Sequence, residues 1–191
     1  MYLTCQPAFA GLQRRKSVQE TSSLPFSIFE ASVPVYTRRL EALSAILDKA
    51  AAYASQRKID PAVLIQARLY PDMLPLARQV QISCSYALRG SARLSGAEPA
   101  SLEERASSFD DLKALIAKTL EVLKGVDPKK MEGMEDHEIT FPIGDGKMTL
   151  RGGDYLLHFS MPNFYFHVTT AYDILRHNGL EIGKDDFMGE A

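Results

Sequence analysis

The fold of this chain is decided by the stretch Gly153-Asp-Tyr-Leu-Leu-His-Phe-Ser-Met-Pro-Asn-Phe-Tyr-Phe-His-Val-Thr-Thr-Ala-Tyr-Asp-Ile-Leu-Arg-His-Asn-Gly179. Its apolar side chains recur at steps of three and four, the period of an α-helix with one buried face. Asp154 is the predicted N-cap and Gly179 the predicted stop, while Pro162 predicts a bend because it removes a backbone donor. The predicted core stripe consists of Leu157, Met161, Phe164, Val168, Ala171 and Leu175.

A polar stripe runs beside this apolar stripe, also at steps of three and four. Because it borders the buried face, it cannot point fully to solvent. Its side chains either satisfy one another and nearby backbone where the core meets solvent, or line a pocket in which a histidine titrates near neutral pH. Burial would lower the pKa of that histidine. The stripe consists of Ser160, Asn163, His167 and Thr170.

Capping signals mark two earlier helices. Ser27-Ile-Phe-Glu30 has the form of a capping box and predicts a first long helix to about Arg57, bent in its first turns by Pro34. Asp60-Pro61 is an N-cap followed by proline at the first helical position, so it predicts a short helix over 62–68.

Two further long helices follow. The second runs from about Leu76 to Leu94 and is closed by Gly96, after which 99–107 form a connection with one helical turn over 102–105. The third starts at the cap signal Ser108-Phe-Asp-Asp111 and stops at Gly125. The second helix carries a polar edge of its own, formed by Gln79, Ser83 and Tyr86.

Between the third and fourth long helices the periodicity changes from helical to alternating. Glu138-Ile-Thr-Phe-Pro-Ile143 and Lys147-Met-Thr-Leu-Arg151 flank Gly144-Asp145-Gly146, a pattern typical of a β-hairpin. The hairpin would cover one end of the helices or form part of a subunit contact. After the last helix, the tail is predicted to fold back with Phe187 as its apolar anchor.

The string from Pro162 to Gly179, with Gly183-Lys184-Asp185 after it, resembles the final helix of DinB-like (YfiT-like) four-helix bundle proteins, in an uncharacterised branch of that superfamily. The likeness spans about Ser27 to Phe187. It implies an all-α, up-down four-helix bundle with a small β-hairpin between helices 3 and 4. It also implies that the second and fourth long helices are neighbours, so Gln79, Ser83 and Tyr86 could face Asn163 and His167.

Metal-binding members of the superfamily carry a His-x-x-His-His-Arg-Gly-Gln-like segment that ends in Leu-Arg-x-x-Gly, with one further histidine on the second helix. On that pattern His167 keeps the last histidine, Asn163 occupies the first ligand position, Phe166 replaces the middle histidine and Thr170 replaces the glutamine. No histidine occurs between Met1 and Asp136. The three-histidine set is therefore dismantled, and we expect neither a metal nor another cofactor.

The bulk properties suit one domain over 27–191, preceded by a leader over 1–26 that is disordered, a targeting segment or a mis-assigned start. A net charge of -2 provides no general attraction to nucleic acid or anionic lipid, and no apolar run is long enough for a membrane span. Cys5 and Cys84 lie far apart, which indicates a reducing, cytoplasmic setting. Cys84 falls in an apolar-periodic helix and is predicted to be a buried hydrophobe.

Two functions remain open at this level. The first is a non-catalytic module that binds a small ligand or another subunit, through a candidate pocket of Asn163, His167, Thr170, Gln79, Ser83 and Tyr86. The alternative is an enzyme of the thiol transferase or isomerase type, as the resemblance allows, with His167 as base or residual metal ligand. A homodimer is expected because aromatic residues, Tyr165 and Tyr172 among them, lie on more than one side of the last helix.

Overall fold

A computed structural model of the chain describes residues 27–101 and 106–189; the predicted leader over 1–26 and the predicted turn over 102–105 lie outside these residues. The described chain is a bundle of four long helices with a two-stranded hairpin before the last of them. Its elements are α1 (Val33–Arg57), α2 (Pro61–Ile65), α3 (Leu76–Leu94), α4 (Phe109–Lys124), a 3-10 turn (Pro128–Met131), β1 (Glu138–Ile143), β2 (Gly146–Arg151), α5 (Gly152–Asp154), a π-helical segment (Tyr155–Ser160), α6 (Met161–His177) and α7 (Lys184–Met188).

The capping signals are satisfied as predicted at α2 and α4. Asp60 accepts a hydrogen bond from the amide of Ala62 at 2.9 Å. Ser108 and Asp111 exchange the two bonds of a capping box, at 3.0 Å each. These bonds stabilise the two helix starts because they satisfy amides that have no partner inside the helix.

The start of α1 differs from the prediction. Ser27 and Glu30 form the predicted reciprocal bonds, at 3.1 and 3.2 Å, but they close only a turn. The backbone at Ser32 leaves the helical region, with φ -124° and ψ -74°, so α1 begins at Val33. Pro34 therefore falls in the first turn of α1, where its missing donor costs nothing.

The last helical stretch begins at Gly152, and Asp154 lies inside it with helical angles rather than capping it. The π-helical segment ends immediately before α6, whose first turn contains Pro162. A proline ring crowds the carbonyl four residues back and removes one backbone donor, so the regular helical bonding is interrupted where the π-helical segment lies. The wider turn also changes the helical phase: Leu157, predicted in the core, is 61% exposed, whereas Ser160 is fully buried.

The core is centred where α1, α3 and the last helical stretch meet. The ring of Tyr36 packs edge-on against Phe164, with centroids 4.9 Å apart. The hydroxyls of Tyr36 and Ser160 share a hydrogen bond of 2.8 Å. Gly90 of α3 makes room for this pair, because a Cβ there would lie 2.5 Å from the Tyr36 hydroxyl oxygen.

The hairpin packs on the bundle through one face. Its register pairs Ile143 with Gly146 around a two-residue loop, and Gly144 takes the positive φ of 52° that a type II′ turn requires at its first loop position. Ile139 and Phe141 of β1 are buried. The Phe141 ring lies 5.1 Å from the ring of Tyr155, so the hairpin covers one end of the helical core.

The tail folds back on α1, as predicted. Arg39 donates hydrogen bonds to the carbonyls of Phe187 and Met188, and Lys49 pairs with Asp186. Phe187 is the anchor, since its ring packs against that of Tyr172 at 5.7 Å. None of the helices in the described residues is long and apolar enough to cross a membrane.

The junction between the hairpin and the last helical stretch generates a prediction about stability. A Cβ on Gly152 would lie 2.0 Å from the backbone carbonyl oxygen of Met134, whereas the nearest atom to a Cβ on Gly153 is 3.5 Å away. We expect Gly152→Ala to lower the free energy of unfolding by about 2 kcal/mol or more, because backbone must move. Gly153→Ala, the matched control, should be neutral or slightly stabilising. Urea unfolding measures both, and equal effects would contradict the prediction.

Candidate functional site

The candidate site lies where α3 faces α6. Gln79 is buried on α3, and its side-chain nitrogen Nε2 donates to the carbonyl of Leu74 at 3.0 Å. The Oε1 atom of Gln79 lies 2.7 Å from Nδ1 of His167. Because Oε1 can only accept, Nδ1 of His167 carries the proton and Nε2 is left as an acceptor.

The second ring nitrogen of His167, Nε2, is not fully buried. Among residues 27–101 and 106–189, no hydrogen bond reaches Nε2, and no buried side-chain nitrogen or oxygen lacks a partner. An unpartnered Nε2 must therefore be accessible. The bond to Gln79 fixes which nitrogen a ligand can reach.

The surroundings of His167 are aromatic and uncharged. The ring of Tyr86 stacks on its imidazole, with centroids 5.8 Å apart and planes 17° apart. Phe166 meets the imidazole edge-on at 5.2 Å and is 56% exposed. Burial of the imidazole lowers the pKa of His167, since desolvation penalises the charged form. The ring is therefore neutral at physiological pH.

The other predicted pocket residues bond within their own helices. Ser83 donates to the carbonyl of Gln79, Asn163 to that of Phe159 and Thr170 to that of Phe166, each four residues back and at 2.7 to 2.8 Å. Such local bonds are a common alternative for short polar side chains. The structure thus brings together His167, Gln79 and Tyr86 of the six predicted residues, while the described hydrogen bonds of the other three stay local.

The donor set at this corner does not fit the metal that the resemblance implies. It offers one imidazole nitrogen and one amide oxygen, and the amide oxygen is already bonded to the imidazole. Divalent transition metals are held by three or more nitrogen, sulfur or carboxylate donors. Nowhere in the described part of the chain do three His, Cys, Asp or Glu side chains come together as such a group.

The contact between α3 and the last helical stretch, called the seam below, continues along α3 through residues that the sequence patterns did not single out. Tyr86 contacts the ring of Phe159 at 6.2 Å, and Arg93, seven residues further on, donates to the hydroxyl of Tyr155 at 3.2 Å. The spacing Gln79, Tyr86, Arg93 repeats every seven residues, about two helical turns. This seven-residue repeat could have indicated that Arg93 lies on the same face of α3 as Gln79 and Tyr86, but an arginine near a helix end is usually solvated.

The nucleophilic groups buried in the bundle are held protonated. Cys84 is fully buried, and its burial raises the pKa of the thiol to about 12. This confirms that Cys84 packs as a small hydrophobe. Burial also raises the pKa of Tyr36. Neither group can supply an anion near neutral pH.

The fold has a close counterpart among solved structures. The crystal structure of a DinB family member protein from Shewanella denitrificans, determined at 1.83 Å, is 37% identical to this chain, with a TM-score of 0.81. The match covers 86% of this chain and 93% of that one. The chain is therefore a DinB-family helical bundle protein.

Its place within that class follows from the sequence over most of the bundle. Residues 28–188 match the family described as Domain of unknown function (DUF1993), and the chain belongs to this family. No curated protein matches it significantly.

The burial of His167 predicts how stability depends on pH. Its folded-state pKa lies below the ordinary value of 6.5, so the unfolded chain binds the proton more readily. The free energy of unfolding should fall as the pH drops below 6.5 and should level off below the folded-state pKa. His167→Gln should flatten this part of the profile, whereas His177→Gln, at an exposed position, should not. Urea unfolding at several pH values measures both, and equal slopes for wild type and His167→Gln would contradict the prediction.

Proposed function

We propose that this DinB-family chain is a non-catalytic, metal-independent module that binds a small ligand. The ligand site is the His167 corner, formed by His167, Gln79, Tyr86 and Phe166. The proposal depends on one observation, the 2.7 Å contact between His167 Nδ1 and Gln79 Oε1. This bond holds the imidazole in one tautomer and leaves Nε2 as an accessible acceptor. A ligand with an N–H or O–H donor fits that atom.

The same hydrogen bond supports the proposal that this chain has lost the superfamily's metal site. Gln79 projects from the second long helix, where the resemblance implies a further histidine, and it bonds directly to the one histidine that remains. A hydrogen bond thus links α3 directly to α6 through the histidine that remains. Asn163, at the first ligand position, directs its amide to its own helix and adds no donor toward His167.

The chemistry of the corner favours a neutral ligand with a flat apolar part. The groups around the imidazole are the ring of Tyr86, the exposed ring of Phe166 and the amide of Gln79, none of which is charged at neutral pH. Rings that face one another gain about 0.5–1.5 kcal/mol beyond their buried area. An aromatic alcohol or an N-heterocycle has both required parts.

The enzyme alternative is favoured by one feature of the same geometry. An amide that fixes the tautomer of a neutral imidazole leaves Nε2 able to accept a proton, so His167 could act as a general base. The buried thiol of Cys84 has its pKa raised to about 12 and supplies no nucleophile. A base without a nucleophile or metal beside it supports binding better than transferase chemistry.

Self-association would use exposed apolar side chains of the last helical stretch. Phe166 is 56% exposed, and Leu157 and Tyr165 are also exposed. Tyr172, the other aromatic residue predicted to contribute to a dimer contact, packs on Phe187 of its own chain. The tail therefore covers one side of α6, and the side bearing Phe166 is the better candidate for a homodimer contact.

A thermal-shift experiment tests ligand binding. The probes are phenol, indole, low-molecular-weight thiols and divalent metals, added to wild type, His167→Leu and the exposed control His177→Leu. A ligand at about 100 times its Kd stabilises by about 2.7 kcal/mol, so Tm should rise by about 5–10 °C for a chain of this size. The rise should come from the neutral aromatic donors and should vanish only in His167→Leu.

Two results would contradict this prediction. An equal rise in His167→Leu would place the binding elsewhere. One equivalent of tightly bound Zn, Ni or Fe in the purified protein, lost in His167→Ala, would revive the metal-dependent enzyme.

Light scattering tests the homodimer. We expect twice the chain mass of 21.2 kDa at micromolar concentration. Phe166→Glu should return the protein to a monomer because it places a charge in an apolar contact. Leu69→Glu, at an exposed position before α3, is the control and should leave the dimer intact. A monomeric wild type would contradict the prediction.

A further inference from the structure

A cleft lies at the opposite end of α3 from Gln79. It has a volume of about 580 Å³ and sits between the end of α3, the loop that follows it and the hairpin. Gln79 and Arg93 are fourteen residues apart on one helix, which corresponds to about 21 Å at 1.5 Å per residue. The described lining of the cleft does not include His167, Gln79 or Tyr86, so the cleft is distinct from the His167 corner, although Arg89 lies only three residues beyond Tyr86 on α3. Its charged and hydroxyl-bearing lining residues are Arg89, Arg93, Glu98, Ser101, Glu138 and Thr140.

Arg93 is held in a fixed orientation at this cleft. The centre of its guanidinium lies 4.8 Å from the ring centroid of Phe141 and 5.7 Å from that of Tyr155. One guanidinium nitrogen also donates to the Tyr155 hydroxyl at 3.2 Å. Stacking fixes the plane of the guanidinium, so little side-chain entropy is left to lose when another group binds.

The hydrogen-bonding capacity of Arg93 is largely unused. A guanidinium has five N–H donors, and the only described bond of this one is to Tyr155. Within residues 27–101 and 106–189, no carboxylate lies within 4.0 Å of Arg93 or of Arg89, which precedes it by one helical turn. Two arginines four residues apart thus line one cleft with no carboxylate of the described residues paired to either of them.

We propose that this cleft binds the carboxylate group of a small molecule, with Arg93 as the bidentate partner and Arg89 as a second cation. A planar carboxylate matches two parallel N–H donors of a guanidinium. Glu98 and Glu138 line the same cleft and would repel a multiply charged anion. This charge balance favours a single negative charge over a phosphate dianion. The site goes beyond the proposed function at His167 and does not depend on it.

The test is an NMR titration of the full chain, which follows the Nε–Hε signal of Arg93, assigned from its absence in Arg93→Lys. The probes are acetate, benzoate and inorganic phosphate at constant ionic strength. We expect a saturable shift with the carboxylates and a weaker response to phosphate.

Variants locate the binding site. In Arg93→Met, whose side chain keeps an apolar stem against the two rings, carboxylate affinity measured by calorimetry should fall about tenfold or more, because a charge-assisted bond is lost. Arg93→Lys keeps the charge but not the planar fork and should also weaken binding. Arg151→Met is the control for a lost surface charge, since Arg151 lies outside the cleft and pairs with Asp136 at 3.6 Å.

The outcomes separate this proposal from the one at His167. Unchanged carboxylate binding in His167→Leu, together with loss in Arg93→Met, supports a separate site. No saturable shift with either carboxylate overturns the proposal, as does equal affinity in Arg93→Met and wild type. Tighter binding of phosphate than of acetate overturns the assigned ligand class.

Discussion

The contact on which the bundle depends is the 2.8 Å hydrogen bond between the hydroxyls of Tyr36 and Ser160. Both groups are fully buried, so each would leave an unsatisfied polar atom without the other, at a cost of about 1–3 kcal/mol. The bond forms only because Gly90 has no side chain: a Cβ there would lie 2.5 Å from one oxygen and 2.7 Å from the other. One pair of atoms thereby fixes the separation of α1, α3 and the last helical stretch.

This junction requires Ser160 to face inward, and the π-helical segment makes that possible. With the helix widened over Tyr155–Ser160, Ser160 and Tyr155 are buried while Leu157 faces solvent. Phe159 reaches the hairpin, where its ring lies 4.6 Å from Phe141. Beyond Pro162 the ordinary helical period resumes in α6, with Phe164 against Tyr36 and His167 against Gln79. π-Turns often occur at functional sites. Here the turn determines the position of His167 relative to the packed rings of Phe141, Tyr155 and Phe159.

The seam between α3 and the last helical stretch therefore has two chemically different ends. At one end a neutral imidazole is fixed by an amide, and at the other a stacked guanidinium borders a cleft. Aromatic rings fill the distance between them, from Tyr86 through Phe159 to Tyr155. DinB-family membership explains the bundle but assigns neither end a role, because fold does not determine function. The chemistry of each end supports the role that we propose for it.

The sequence alone determined the helices and the hairpin, because the signals for them are local, and the DinB-like bundle followed from the resemblance of residues 27–187 to that superfamily. Ser108 and Asp111 cap α4 by bonds that span three residues, and Gly144 sets a turn by its own backbone angle. The inward position of Cys84 followed from periodicity in the same way. Only the tertiary structure decided the contacts of the polar residues. Asn163 and Thr170 each donate to a backbone carbonyl one helical turn away. The partner of His167 is Gln79, 88 residues earlier in the chain, so only the packing of α3 against α6 brings the two together. The prediction that Leu157 lies in the core was wrong because it assumed 3.6 residues per turn throughout, whereas the helix is wider over the π-helical segment. Arg93 stacks on Phe141 of the hairpin, 48 positions later in the chain, so no local sequence pattern could predict this contact.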